Sequence, residues 1–235
     1  YTDYLYFHLM GEPLWHPQLM DFLALAAESG FHVILTTNGT LLDRYPALPG
    51  APALHKVNIS LHAFEANTLS EPFSDYLARC IRFGKMAEHA IVCYRLWNAG
   101  GAEEKNGEIL KALHEAVPAP WQEGRQGTRL QERVYLQFDR KFDWPDLAVP
   151  SYGPRGFCYG LRDQIGVLCD GTVVPCCLDH EGDLALGNLF FQDLEPILNT
   201  ARAQAIYDGF SMRRAVEPLC RRCGYAQRFQ KRNAD

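Results

Sequence analysis

The sequence predicts an α/β protein in two parts. Over residues 1–138, strand-length apolar runs alternate with helix-patterned segments, which predicts βαβ units and a parallel sheet covered by helices. The last third of the chain instead holds six of the eight cysteines. Residues 139–157 are rich in Asp, Pro and Gly and are predicted to be a linker. Residues 158–235 are then expected to form a small C-terminal α/β unit.

Five strands are predicted from apolar runs, at residues 4–10, 31–37, 56–62, 90–97 and 133–138. The first is expected to be buried. Helices are predicted between the strands, at residues 17–29, 41–45, 70–89 and 103–117. A further helix is predicted in the C-terminal unit, at residues 193–208.

Polar residues follow the predicted strands at their carboxyl ends. They are Glu12, Thr37, Asn38, Ser60, His62, Arg95 and Asn98. Ligands of parallel sheets bind at this edge, so the pattern predicts a small-molecule site there.

The C-terminal cysteines form two pairs. Cys220 and Cys223 form a C-x-x-C motif, whose short turn directs two thiols to one centre. The turn at 170–171 is an Asp-Gly between apolar runs and predicts a hairpin that returns Cys176 beside Cys158. Two such pairs can supply four soft ligands to one metal site.

The identity of the metal stays open at this point, because zinc and iron–sulfur clusters both accept four thiolates. A disulfide framework is a weaker alternative, since nothing in the sequence indicates export. Cys169 is expected to be an inward thiol of the hairpin. Cys177 is expected to face away from Cys176, because neighbouring residues of a strand point to opposite faces.

Composition and charge exclude some classes. The hydrophobic fraction of 47% is that of a globular protein, and a net charge of −5 argues against a general nucleic-acid binder. No apolar run approaches the roughly 20 residues that span a bilayer. No signal peptide is visible, so a cytoplasmic protein without membrane partners is expected.

Four stretches carry a family resemblance: residues 10–13 (Met-Gly-Glu-Pro), residues 36–39 (Thr-Thr-Asn-Gly), residues 58–62 (Asn-Ile-Ser-Leu-His) and the cysteine pattern. In this order they resemble the radical S-adenosylmethionine (SAM) enzymes that have a C-terminal twitch or SPASM-type domain. The resemblance implies a partial (β/α)6 TIM-like barrel that lacks its first βα unit, followed by the small cluster-binding domain. The family's C-x3-C-x2-C motif is absent, and Cys80 and Cys93 have the wrong spacing. We therefore expect a fragment that is inactive alone, whose intact parent carries the catalytic cluster.

The resemblance also implies site residues. Gly11 and Glu12 would bind the SAM amino group, Ser60 and His62 the ribose, and Arg95 the carboxylate. Asn38 belongs to the same pocket but is also a typical turn residue. A structural role is equally open for several of these side chains: Glu12 as a helix cap, Ser60 and His62 as strand-end residues that contact backbone, and Arg95 in a surface ion pair.

An auxiliary [4Fe–4S] cluster is implied on four cysteines: Cys158, Cys176, Cys220 and Cys223. The implied activity is reductive cleavage of SAM and hydrogen abstraction from an unknown peptide, protein or small molecule, with no protein catalytic residue assigned. The electron donor would be a flavodoxin or ferredoxin. The alternative is a non-catalytic binding module stabilised by zinc.

Overall fold

The computed structural model describes residues 2–65, 71–118 and 120–229. The chain divides into two compact units, Tyr1–Lys141 and Phe142–Asp235, and the division falls inside the segment predicted as a linker. Ser70, the predicted first residue of a helix, lies outside the described residues, as do residues 230–235 of the predicted C-terminal domain. No helix in the described ranges is long and apolar enough to cross a membrane.

The first unit is built on a six-stranded sheet in the order β1-β2-β3-β4-β6-β5. The strands are β1 (Tyr4–Phe7), β2 (His32–Thr37), β3 (Leu54–Ser60), β4 (Ile91–Ala99), β5 (Thr128–Gln131) and β6 (Val134–Arg140). All neighbours pair in parallel except β5 and β6, which are antiparallel. The predicted α/β class and its parallel sheet are confirmed, whereas the partial barrel stays a prediction.

Three helices lie between the parallel strands: α1 (Leu19–Glu28), α2 (Phe73–Met86) and α3 (Asn106–Ala116). Their apolar faces and one face of the sheet form a common core. On β2, for example, Val33 and Leu35 are fully buried, while Ile34 between them is only half-buried. Residues alternate across a strand, so the sheet has one apolar face and one mixed, more accessible face. The mixed face is where the chain can present polar groups.

Three details of the first unit differ from the prediction. β1 ends at Phe7 and is the edge strand, with Tyr6 57% exposed, so the expectation of a buried strand over residues 4–10 is wrong. β3 ends at Ser60, and a short 3-10 helix follows at Leu61–Phe64, so His62 lies beyond the strand. β5 was not predicted. It pairs with β6 across a tight turn, where Arg133 has a φ of +60°.

The second unit has a three-stranded antiparallel sheet and two helices. The elements are β7 (Gly166–Val167), β8 (Thr172–Val174), β9 (Gly187–Asn188), α4 (Leu194–Leu198) and α5 (Ala201–Ser211). The single helix predicted over residues 193–208 is wrong. The helix is interrupted before Thr200. The Thr200 hydroxyl accepts a hydrogen bond from the Ala203 amide and caps α5.

The hairpin predicted around the Asp-Gly turn is formed by β7 and β8, with Val167 paired to Val173. Gly171 has a φ of +83°, and a Cβ there would lie 2.9 Å from the Phe190 ring, so the turn requires glycine. The strands are shorter than predicted. As a result Cys169 lies in the turn, and Cys176 and Cys177 lie beyond the end of β8.

Candidate functional site

Glu12 joins the carboxyl ends of β1 and β2. It caps the short 3-10 helix Pro13–Trp15, with Oε1 accepting from the Leu14 amide at 3.1 Å. The same oxygen accepts from the Thr37 hydroxyl at 2.7 Å, and Oε2 accepts from the Asn38 amide at 2.7 Å. Gly11 precedes it with a φ of +96°. Glu12 therefore performs the capping role that the sequence left open.

This capping role leaves room for a ligand. An ionised carboxylate offers about four acceptor positions, and three are used by Leu14, Thr37 and Asn38. The remaining position could accept from a cationic donor. Thr37 was noted in the sequence only as a strand-end polar residue, and its hydroxyl aligns the carboxylate while accepting from the Gly39 amide at 3.0 Å.

Asn38 is a turn residue in the structure. Its Oδ1 accepts from the Thr40 amide at 2.9 Å and from the Thr40 hydroxyl at 2.7 Å. Its carbonyl accepts from the Tyr76 hydroxyl at 2.8 Å. The Asn38 side chain is thus committed to local structure, and its main-chain amide is the part that contacts Glu12.

Ser60 and Arg95 are paired in register on β3 and β4, so they lie side by side at the same edge of the sheet. Both are half-buried. The Arg95 guanidinium lies 4.2 Å from the centre of the Trp97 ring, in cation–π contact with it. The structure thus brings Ser60 and Arg95 together.

His62 is held by the backbone of β4. Its Nδ1 lies 3.0 Å from the Arg95 carbonyl oxygen and 3.3 Å from the Trp97 amide nitrogen. Burial, with the Arg95 charge as a smaller contribution, lowers the pKa of His62 despite an opposing hydrogen bond, which favours the neutral ring. These contacts are those of a structural residue that touches backbone, which was the alternative to ribose binding.

Three residues at or next to the mixed face of the sheet were not predicted as site residues: His8, which follows β1, and Lys56 and Cys93. Lys56 lies on the same face as Ser60, because the two are four residues apart on β3. Cys93 is paired with Asn58 and lies on that face too. The sequence did contain a signal for Lys56. Residues two apart on a strand share a face, so Lys56 is expected on the same face as Asn58.

The charge of Arg95 shifts the pKa values of the ionisable side chains near this face. Burial lowers the pKa of His8, and the Arg95 charge lowers it further. Burial also lowers the pKa of Lys56, with a smaller contribution from Arg95 and an opposing one from Cys93. Burial raises the pKa of the Cys93 thiol, against the effect of Lys56 and Arg95. His8, Lys56 and Cys93 therefore each lie close enough to Arg95 to sense its charge, and Lys56 and Cys93 also sense each other.

In the second unit, Cys158 and Cys176 both lie near Gly160. The Gly160 amide donates to Cys158 Sγ at 3.5 Å. A Cβ on Gly160 would lie 3.8 Å from that sulfur and 3.6 Å from the Cys176 Cβ. The hairpin thus brings Cys176 back to Cys158, as the sequence predicted.

The C-x-x-C motif is a single 3-10 turn, Cys220–Arg222, closed by the Cys223 amide donating to the Cys220 carbonyl at 3.4 Å. Arg221 fastens it by donating from Nε to the Ala215 carbonyl and from a terminal nitrogen to the Val216 carbonyl, each at 2.9 Å. The two thiols are therefore presented from a turn that is anchored to neighbouring backbone.

The two pairs of thiols lie near one another. Burial raises the pKa of Cys176 to about 12, and Cys158, Cys177 and Cys223 add to the rise. Burial likewise raises the pKa of Cys220, with Cys176, Cys158 and Cys223 contributing. Burial and the mutual repulsion of neighbouring thiolates therefore disfavour ionisation of these four thiols when nothing is bound. A bound cation or cationic cluster would remove that penalty, so the donor set fits a thiolate-ligated metal group.

All eight cysteines lie in the described residues and all are free thiols, so the disulfide alternative is wrong. The described residues contain no group of three or more His, Cys, Asp or Glu already arranged to hold one metal ion. The structure gathers the four thiols without closing them on a single centre.

Cys169 and Cys177 occupy different environments. Cys169 is exposed in the hairpin turn, so the expectation of an inward thiol is wrong. Cys177 lies in a turn after β8, so the alternation of a strand does not direct it away from Cys176. Its charge is sensed by Cys176 and Cys223. Strand alternation therefore does not exclude Cys177 from the ligands, and its exclusion stays a prediction.

Comparison with known proteins places these features. Residues 158–224 match the SPASM family, described as an iron-sulfur cluster-binding domain. The chain is similar to native anSMEcpe with bound AdoMet, with a TM-score of 0.56 and 14% identity over 98% of this chain and 77% of that chain. It is also similar to BtrN in an open conformation, with a TM-score of 0.53 and 17% identity over 94% of this chain and 70% of that chain.

This chain shares the fold of these structures, and its residues 158–224 match the SPASM iron-sulfur cluster-binding domain. A second BtrN structure, in complex with AdoMet and 2-DOIA, gives a TM-score of 0.52 and 17% identity over 94% of this chain and 72% of that chain. No curated protein matches the sequence significantly. The family resemblance drawn from the four sequence stretches is confirmed, and the SPASM match begins at Cys158 and includes both cysteine pairs.

Proposed function

We propose that this chain is the SAM-binding and auxiliary-cluster portion of a radical SAM enzyme. The observation that carries the proposal is the gathering of Cys158, Cys176, Cys220 and Cys223 within the segment that matches a cluster-binding family. Two of the similar structures contain bound AdoMet, which supports SAM as the ligand of the parallel sheet.

The cysteines would hold an auxiliary [4Fe–4S] cluster. A cluster of this kind supplies one-electron transfer when it is bound. The protein contributes four thiolates from two rigid turns, the hairpin that returns Cys176 to Cys158 and the 3-10 turn of Cys220 and Cys223. The surrounding side chains limit access of water, since Cys223 is buried and the other three are half-buried.

The sheet edge would bind SAM. Glu12 would accept a hydrogen bond from the amino group at its remaining acceptor position, beside those used by Leu14, Thr37 and Asn38. Gly11 would let the backbone approach that group, and the Asn38 amide orients the carboxylate by donating to it. Ser60 and Arg95, side by side at the ends of β3 and β4, would contact the ribose and the carboxylate.

The reaction that we propose is cleavage of SAM followed by hydrogen abstraction from a peptide, protein or small molecule. A flavodoxin or ferredoxin would supply the electron, and the protein would act in the cytoplasm. The fold class alone does not select the substrate.

The test is anaerobic reconstitution of the chain with iron and sulfide, followed by measurement of iron, sulfide and visible absorption. We expect one auxiliary cluster per chain. Each of Cys158→Ala, Cys176→Ala, Cys220→Ala and Cys223→Ala should lower the bound iron. Cys169→Ala removes an exposed thiol of the same unit and should leave it unchanged.

Two results would contradict the proposal. Tight binding of one zinc ion, with no iron retained after reconstitution, would favour the zinc-stabilised binding module. Retention of iron in all four alanine variants would remove the cluster from these cysteines.

A further inference from the structure

The mixed face of the parallel sheet carries a group of basic side chains. Lys56, Asn58 and Ser60 alternate along β3, two residues apart. All three therefore project from one face of the sheet. Arg95 is paired with Ser60 on the neighbouring strand. His8 follows the end of β1, and its ring lies against Tyr6, with the ring centres 5.7 Å apart.

These side chains are partly withdrawn from water. Lys56, His8 and Arg95 are each half-buried. A partly desolvated cation is costly unless an anion compensates it. Lys56 forms no ion pair within 4.0 Å with any residue in the described ranges.

Within the part of the chain that the structure describes, no carboxylate compensates Lys56. Burial is the main cause of the lowered pKa of Lys56, and among the described residues the side chains that also shift it are Cys93 and Arg95. The pKa of His8 is lowered by burial and by the charge of one side chain, Arg95. The carboxylate at the end of β1, Glu12, is bound to Leu14, Thr37 and Asn38. Lys56 thus adds positive charge to a face that already holds Arg95.

We propose that Lys56 and His8 bind a single anionic group of the molecule on which the protein acts, next to Arg95, which stays the proposed ligand of the SAM carboxylate. The group is a carboxylate, sulfate or phosphate. In taking this anion to belong to the substrate, the inference rests on the proposed function. The anion site itself rests only on the sheet geometry and the uncompensated charge of Lys56.

Lys56 and His8 offer complementary contacts to such a group. The Lys56 ammonium is a compact charge with three donors, and it approaches from the middle of β3. A neutral His8 ring offers one N–H donor without adding a second full charge. Asn58, which is buried and donates from Nδ2 to the Thr36 hydroxyl at 3.2 Å, holds the intervening position of β3 in place.

The experiment measures binding of sulfate and of inorganic phosphate to the purified chain by isothermal titration calorimetry. Chloride is exchanged for the test anion at constant ionic strength, so that general screening does not change. We expect saturable binding to the wild type. Lys56→Met should weaken it about tenfold, and Lys56→Arg should restore it to within about twofold of wild type.

Lys85→Met is the matched control, because Lys85 is an exposed lysine on α2 and its removal changes the net charge by the same amount. It should bind the anions as the wild type does. Absence of saturable binding to the wild type, or equal binding by Lys56→Met and wild type, would overturn the inference. Equal weakening by Lys85→Met would also overturn it, since only net charge would then matter.

Two further measurements separate this inference from the proposed function. Lys56→Met should load iron as the wild type does, and sulfate should not compete with SAM. If sulfate competes with SAM and Lys56→Met weakens both equally, the basic group belongs to the SAM site and the inference fails, while the proposed function stands. If iron loading fails in every variant but the anion still requires Lys56, the proposed function fails and the anion site stands.

Discussion

The Glu12 carboxylate accepts a hydrogen bond from the Thr37 hydroxyl at 2.7 Å, and this contact joins the ends of β1 and β2. Two residues 25 positions apart are thereby fixed at the edge of the sheet where ligands of parallel strands bind. The carboxylate is also shared with two backbone amides. Glu12 therefore has a structural role and a proposed binding role, and the two can be separated by mutation.

Glu12→Ala should lower the free energy of unfolding by about 1–3 kcal/mol, because the Leu14 and Asn38 amides and the Thr37 hydroxyl lose their acceptor. It should also weaken SAM binding by about 1.5–3 kcal/mol, since a charge-assisted hydrogen bond is lost. Denaturant unfolding and equilibrium dialysis with SAM measure the two effects.

Thr37→Val is the control for the structural role. It removes the hydroxyl that donates to Glu12 but leaves the carboxylate in place. Stability should fall while SAM binding changes much less than in Glu12→Ala. If both variants lose SAM binding in proportion to stability, Glu12 is a cap and does not bind SAM directly.

Cys177→Ala should retain full iron loading. Cys177 lies close to the other thiols, but Cys158, Cys176, Cys220 and Cys223 already supply the four ligands of one [4Fe–4S] cluster. Iron per chain and the visible absorption of the reconstituted protein check this. Loss of iron in Cys177→Ala together with retention in Cys176→Ala would exchange the two assignments.

Gly39→Ala should destabilise the first unit strongly. Gly39 has a φ of +80°, which disfavours any Cβ, and a Cβ there would lie 2.7 Å from Cys80 Sγ and 3.1 Å from the Ile59 side chain. We expect a loss of about 1–3 kcal/mol from overpacking, measured by thermal or urea unfolding.

Gly107→Ala provides the comparison for this variant, because Gly107 lies in α3 and a Cβ there would meet no atom within 4 Å. Alanine should be neutral or stabilising at this helical position. Equal stability of Gly39→Ala and Gly107→Ala would show that the turn after β2 adapts to a side chain.

Arg221→Met should loosen the turn that presents Cys220 and Cys223. The change leaves the Ala215 and Val216 carbonyls without the guanidinium donors that they now share, at a cost of about 1–3 kcal/mol. Iron uptake by the apo protein should therefore be slower than in wild type, as followed by visible absorption during reconstitution.

Arg213→Met removes an exposed arginine from the same unit and is the matched control. It should load iron at the wild-type rate. If Arg213→Met slows uptake as much as Arg221→Met does, the effect reflects lost positive charge and not the anchoring of the turn.

The sequence predicted the parallel strands well, because long apolar runs between helical segments have few other solutions. β2 and β4 were each placed to within two residues at either end. The hairpin at Gly171 was predicted for an equally local reason, since the turn requires a positive φ. Strand ends and the break at Thr200 were missed, because capping by a side chain competes with helix or strand continuation at a small difference in free energy.

The sequence by itself determined the fold class, the family resemblance and the two cysteine pairs, because these depend on residue type and on spacing along the chain. Only the tertiary structure decided how the side chains are used. It assigned Glu12 and Asn38 to capping and turn contacts, and it fixed His62 against the β4 backbone. It also placed Lys56 and Arg95 on one face of the sheet, with His8 close enough to Arg95 to sense its charge. The physical reason is that hydrogen bonds and charge interactions depend on distances between strands, which residues far apart in the chain acquire only when the sheet forms.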